Sequence, residues 1–191
     1  MKKIVVTILA VICIAAVCGG FYYVTQKDKN SEEVILTEVQ KVNTKNIDTD
    51  YPETPREVVK LFNRMIMCYY KEEYTQSELA TLTEQARKLM DDELLKQNTK
   101  ENYLAAVKAD VAEYKELNKT ISQSSVGDSN SVQYIKDKED ELAYVNASYF
   151  IKTGNEFSRT YEKFVLRKND EGQWKILHFY QVEGDSSEDE E

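Results

Sequence analysis

The fold turns on the stretch FSRTYEKFVLRKNDEGQWKILHFYQV, residues 157–182. Two runs in which β-branched and aromatic residues alternate with polar ones flank the polar tetrapeptide NDEG. A period of two marks strands, and Asn-Asp-Glu-Gly marks the turn between them. Just upstream, ELAYVNASYFIK (141–152) has the same period and is joined to residue 157 by TGNE. If both four-residue links are simple hairpin loops, register follows by counting: Lys152 lies opposite Phe157 and Lys168 opposite Gln173. One face of the sheet then carries Ala143, Val145, Ala147, Phe164, Leu166, Leu177 and Phe179, an apolar patch fit for a core. The opposite face carries Trp174 and Ile176 at one end. Beyond them come a row of Asn146, Lys163 and His178, a row of Ser148, Tyr161 and Tyr180, and then Phe150, Arg159 and Val182. It is aromatic but wet.

Before these strands, KTISQSSV (119–126) and VQYIKDK (132–138) read as two short strands around GDSNS. Before those, the period changes to that of a helix. Thr54, Pro55 and Glu57 form an N-cap, a first-position proline and a capping box. Val58, Leu61, Phe62, Met65, Ile66 and Tyr69 then recur at helical spacing, which predicts a helix over 55–72. TQSE (75–78) caps a second helix with an apolar face of Leu79, Leu82, Ala86 and Leu89. Thr99 caps a third, whose face is Tyr103, Leu104, Val107, Val111, Tyr114 and Leu117. MDDE (90–93) is expected to be a solvated helix end. Helices first and a meander of strands afterwards is the α+β pattern, here three helices packed on a curved, cone-shaped antiparallel sheet of four to five strands.

At the other end of the chain, Ile4 to Val24 is uncharged and, as a helix, would rise about 31 Å, enough to cross a bilayer core. Lys2 and Lys3 precede it, which places the N-terminus inside and the remainder outside. Residues 1–24 are therefore expected to be a single-pass signal anchor in the cell membrane. The rivals are a cleaved signal peptide, for which no clean small-x-small site follows the apolar run, and lipidation of Cys18, whose upstream residues fit poorly. Residues 25–50 are expected to be a linker with a short structured patch, 51–183 the folded domain, and 184–191 a disordered acidic tail.

The chain has 191 residues and a net charge of −9. The first 30 residues carry a surplus of three positive charges, so the rest is more acidic still, which argues against nucleic-acid binding. Cys68 is the one cysteine outside the apolar leader, so no disulfide can form within the domain; a small buried hydrophobe is its expected role. Nucleotide-binding glycine loops, HExxH, GxSxG and paired-cysteine patterns are absent, and a single histidine cannot build a His-based metal site. Catalytic residues, metal and cofactor are accordingly assigned as none. On the counted register, His178 stands beside Lys163, while Glu162 points to the other side of the sheet. It therefore lacks the carboxylate that would orient it as a general base. The 13 tyrosines, among them Tyr69, Tyr70, Tyr103, Tyr114 and Tyr149, suit either ordinary strand and helix packing or a half-wet pocket. Candidate ligand or interface residues are Asn146, Ser148, Tyr161, Lys163, Trp174, Ile176, His178 and Tyr180.

Capped helices followed by a meander ending in DEGQWKILHFYQV resemble the nuclear-transport-factor-like superfamily (cystatin-like cone, SnoaL-like), whose last strand often reads Gly-x-Trp-x-Ile. The resemblance covers about Tyr51 to Val182. YPETPREVVKLFNRMIMCYYKEEYT, LTEQARKLMDDELL and FSRTYEKFVLRKNDEGQWKIL are similar to membrane-anchored or lipoprotein-like proteins of anaerobic Gram-positive bacteria that have no assigned activity. The resemblance implies either a non-enzymatic binding or assembly domain or a small enzyme of isomerase or dehydratase type with an acid/Tyr pocket inside the cone. The first is the expectation here, with the membrane, a second copy, an envelope protein or a small ligand as partner. Fold alone does not confer an activity.

Overall fold

The computed structural model describes residues 36–137 and 140–184. Its elements run α1 (Glu38–Thr44), α2 (Pro55–Lys71), α3 (Gln76–Arg87), α4 (Asp92–Gln97), α5 (Lys100–Glu116), then β1 (Lys119–Val126), β2 (Gln133–Asp137), β3 (Asp140–Thr153), β4 (Glu156–Lys168) and β5 (Trp174–Val182). The architecture is α+β, with helices packed on a curved five-stranded antiparallel sheet. The threonines expected to cap α2, α3 and α5 do so: Thr54, Thr75 and Thr99 each accept a backbone N–H three residues on. Among the described residues no helix is long and apolar enough to cross a membrane. The span expected at 4–24 lies outside the described residues, as does the tail from 185 onward.

Two helices exceed the expected three, and the first of them moves the domain boundary. Thr37 and Gln40 form a capping box at the start of α1. Val39, Val42 and Ile47 are fully buried among residues of α2 and α3, so the domain begins at Leu36 rather than Tyr51, and the expected linker 25–50 is folded from residue 36 onward. A seven-residue helix carries only two apolar side chains on its inner face, too few for periodicity to stand out. The second addition is α4. MDDE opens this helix instead of closing one: Asp91 is its N-cap, accepting the Glu93 N–H, and is 6% exposed. Buried Asp91 takes a two-pronged contact from Arg167, with Nη2 at 2.6 Å and Nε at 3.2 Å.

The long β3–β4 hairpin is the centre of the sheet. β5 lies on the outer side of β4, while β1 and β2 share the free edge of β3, β1 on its second half and β2 on its first. The β3–β4 register is the counted one, Lys152 opposite Phe157, closed by a two-residue turn with Gly154 at φ 59. The β4–β5 register is not. Lys168 pairs with Trp174, not Gln173, because the loop holds three residues, not four. Asn169 N–H donates to the Gln173 carbonyl and Gln173 N–H to Asn169 Oδ1, closing Asp170, Glu171 and Gly172 between them. Gly172, at φ 80, supplies the left-handed residue that a three-residue hairpin loop needs.

A bulge then restores part of the counted phase. Leu166 pairs with Ile176 but Val165 pairs with His178, so Leu177 has no partner across the strand. An extra residue of this kind reverses which side the rest of the strand presents. Trp174 and Ile176 therefore turn inward, 7% and 0% exposed, correcting their expected place on the wet face. Phe179 also faces inward, stacked on Phe164 with ring centres 5.1 Å apart. The edge of β5 is covered at Ile176 by a short bridge: its N–H donates to the Leu89 carbonyl, and its carbonyl accepts from Asp91 N–H, both at 2.8 Å.

Candidate functional site

The inner face of the sheet changes character along its length. Cross-strand rows Ala143–Leu166–Ile176 and Val145–Phe164–Phe179 come first, and their β3 and β4 members and Ile176 are sealed in the core. Next comes Ala147–Glu162–Gln181, and then Tyr149–Thr160. Apolar rows are filled by α2 and α3, whereas the polar rows are roofed by the tyrosines of α2 and α5. Tyrosines hold the roof off the sheet, because a phenol hydroxyl has to keep a polar partner or water. A cavity of about 490 Å³ results, open to solvent, with α2, α5 and β1 on one side and β3, β4 and β5 on the other.

Polar groups converge in it. Tyr149 donates to Asn63 Oδ1 at 2.7 Å, and the Glu162 carboxyl lies beside the same phenol. Tyr70 hydroxyl donates to the Asp110 carboxylate. Its ring lies tilted against that of Tyr114, centres 4.4 Å apart. Tyr69 is 2% exposed and its hydroxyl faces that of Tyr103 without a hydrogen bond of good geometry. A buried phenol without a proper partner is costly, and such a group in a cavity wall is where a ligand atom would be accepted. Among the described residues lining the cavity, none is Lys, Arg or His.

Burial raises Glu162 above the usual carboxylate range, and the hydrogen bond from Tyr149 only partly offsets it. Burial and the neighbouring Glu162 push the Tyr149 phenol upward too. The sign of the linkage follows. Between the unfolded and the folded pKa the native state binds more protons than the unfolded chain, so Glu162 makes stability fall as pH rises through that window. The ionised form of Glu162 is therefore a cost to the fold. A cost retained in a cavity wall marks a candidate functional residue.

The residues expected to form a site are divided by the structure. Asn146, Ser148, Tyr161 and Lys163 line a second groove, of about 570 Å³, on the outer face. Arg159 lies across it, over the rings of Phe150 and Tyr161 at 5.0 and 4.9 Å, with Nη2 3.2 Å from Ser148 Oγ. The corrected register puts Tyr180, not His178, beside Lys163, and Val182, not Tyr180, beside Tyr161. His178 pairs with Val165 on that exposed face and stacks on Tyr180 at 6.0 Å. Trp174 and Ile176 leave the set for the core. Cys68 is buried, and burial pushes its thiol up to about 11, so it acts as a small hydrophobe. Among the described residues no group of three or more His, Cys, Asp or Glu is placed to hold a metal ion.

The counted register sets Glu162 on the side of the sheet away from His178, and the tyrosines suit either ordinary packing or a half-wet pocket. What periodicity could not give was their convergence, which depends on how far α5 stands from the sheet. A family model described as a domain of unknown function, DUF6715, matches residues 1–179. A comparison with curated proteins gave no match.

Proposed function

The chain belongs to that family, and we propose that its folded domain is a binding module that takes a small organic ligand into the tyrosine-lined cavity. The observation that carries the reading is a solvent-open cavity whose wall holds a destabilised carboxyl, Glu162, and a buried phenol without a good partner, Tyr69. Its volume lies in the ordinary range of ligand sites, about 300–1,000 Å³, and its lining of aromatic surface with few polar groups is the usual composition of one. Helices roofing a curved antiparallel sheet, with a cavity between, also support the nuclear-transport-factor-like resemblance. Ala106 stands exposed at the mouth. Ala106→Trp is expected to leave the melting temperature within about 2 °C, roughly the shift from half a kcal/mol in a domain of this size, while abolishing the thermal stabilisation that small aromatic compounds give the native chain. Equal stabilisation of both proteins would refute the reading.

An enzymatic reading rests on one specific observation. Glu162 beside the Tyr149 phenol is an acid of raised pKa in a cavity, as a proton-transfer catalyst requires. Binding is the reading preferred here, because among the described residues the group hydrogen-bonded to Glu162 is the Tyr149 phenol, itself raised by burial, and the second carboxylate of the cavity, Asp110, is engaged by Tyr70.

The uncharged run at 4–24 supports anchoring of the chain at the cell membrane with the domain outside. Deleting residues 1–24 is expected to move the protein from the membrane to the soluble fraction, and external protease is expected to reach the domain of the full chain in intact cells. Recovery of the full chain in the soluble fraction would dispose of the anchor.

A further inference from the structure

We propose that the ligand is an organic cation, an ammonium group carried on an apolar body. The inference rests on the reading of the cavity as a ligand site and specifies its chemistry. Charge inside the cavity is of one sign. Asp110 and Glu162 supply two carboxylates, and although the chain holds 25 Lys and Arg, none lines the cavity among the described residues. An anionic ligand would meet two carboxylates with no counter-charge. A neutral one would leave the part-buried Glu162 carboxylate without a counter-charge, which is unfavourable. A cation pairs with them as it excludes water.

Aromatic surface points the same way. Tyr69, Tyr70, Tyr103, Tyr114, Tyr149 and Phe179 line the cavity, and ring faces attract ammonium groups, more strongly once water is excluded. A cation already uses this set at its rim: Lys119 Nζ stands 5.9 Å from the ring centre of Tyr114. The hydroxyl of Tyr69, 2% exposed and poorly partnered, offers an oxygen to an N–H donor. The titratable groups set against Glu162 are Tyr149 from β3 and Tyr114 from α5. Neither of these is a cation, so a bound ammonium would be the compensating charge that Glu162 lacks. The overall charge of −9 favours the approach of cations.

Three probes of one shape separate the charge from the shape: phenethylammonium, the neutral 2-phenylethanol and the anion phenylacetate, each titrated calorimetrically into the full chain in detergent at pH 7. Phenethylammonium is expected to bind at least tenfold more tightly than 2-phenylethanol, and phenylacetate not at all. Glu162→Gln, which keeps shape and polarity but removes the charge, is expected to weaken phenethylammonium at least tenfold and leave 2-phenylethanol unchanged. The same variant is expected to melt higher than the wild type at pH 7, with a flatter dependence on pH, since it removes a carboxyl whose charged form burial disfavours. That rise certifies that it folds. Equal binding of the ammonium and the alcohol, or full retention of ammonium binding by Glu162→Gln, overturns the cation while the binding cavity stands. No binding of any probe to the wild type overturns both.

Discussion

A chain that begins at Tyr51 is expected to be largely unfolded at 25 °C, whereas one that begins at Leu36 is expected to fold cooperatively. The missing segment holds Val39, Val42 and Ile47, all fully buried. Burial of an aliphatic side chain is worth about 1.5–3 kcal/mol, so the three together supply about 4.5–9 kcal/mol. That is comparable to the whole stability of an ordinary domain, about 5–15 kcal/mol. Polar losses add to it. Gln85, 8% exposed, donates to the carbonyls of Asn43 and Lys45, both at 3.1 Å, and Asn43 donates to the Glu78 carbonyl at 2.9 Å. Removing α1 would strand Gln85 beside an exposed apolar patch. Far-UV circular dichroism with urea titration of the two chains tests the point. Equal midpoints would show that α1 is dispensable.

Arg167→Ala is expected to cost about 3–5 kcal/mol, the range for removing one partner of a buried ion pair. Asp91 is the reason. Its carboxylate is 6% exposed and receives both prongs of the guanidinium, while its backbone N–H is tied to β5 and its side chain caps α4. Glu93 adds a contact to the same guanidinium at 2.9 Å. One arginine thus joins β4, α4 and the edge of β5 through a single carboxylate. Taking 3 kcal/mol, the melting temperature should fall by about 6–12 °C for a domain of this length. Adding Asp91→Asn should recover a large part of the loss, since asparagine still caps a helix but carries no charge to strand. A double variant as unstable as Arg167→Ala alone would mean that the loss is of arginine packing and not of an orphaned charge.

The helices and the central hairpin were legible because their signals are local. A threonine three residues before a glutamate, or the period of two through Ala143, Val145 and Ala147, needs no knowledge of the rest of the chain. Three features were not legible for a common reason, that each depends on a contact distant in sequence. Val39 and Val42 look like isolated apolar residues until α2 and α3 are laid against them. MDDE looks solvated until Arg167, 76 residues after Asp91, is brought to it. Trp174 and Ile176 were assigned to the wet face because the loop was counted as four residues and the bulge at Leu177 leaves no trace in composition. As for the cavity, Glu162 and the tyrosines were visible singly, but the gap between α5 and the polar rows of the sheet is a tertiary distance that no window of sequence encodes.

The loop closed by Asn169 and Gln173 also says which genetic changes this strand can absorb. Asp170 and Glu171 can be exchanged for other polar residues at small cost, because the turn is defined by backbone bonds and by Gly172. Loss or gain of one codon there is a different matter. With the three-residue loop kept, it would slide the strand by one residue, turning Trp174 and Ile176 out to water and Lys175 toward the core, and loss of the unpaired residue at 177 would reset only the residues beyond it. A viable descendant of this chain should therefore keep the number of residues between Lys168 and Trp174 or absorb the change within the turn itself.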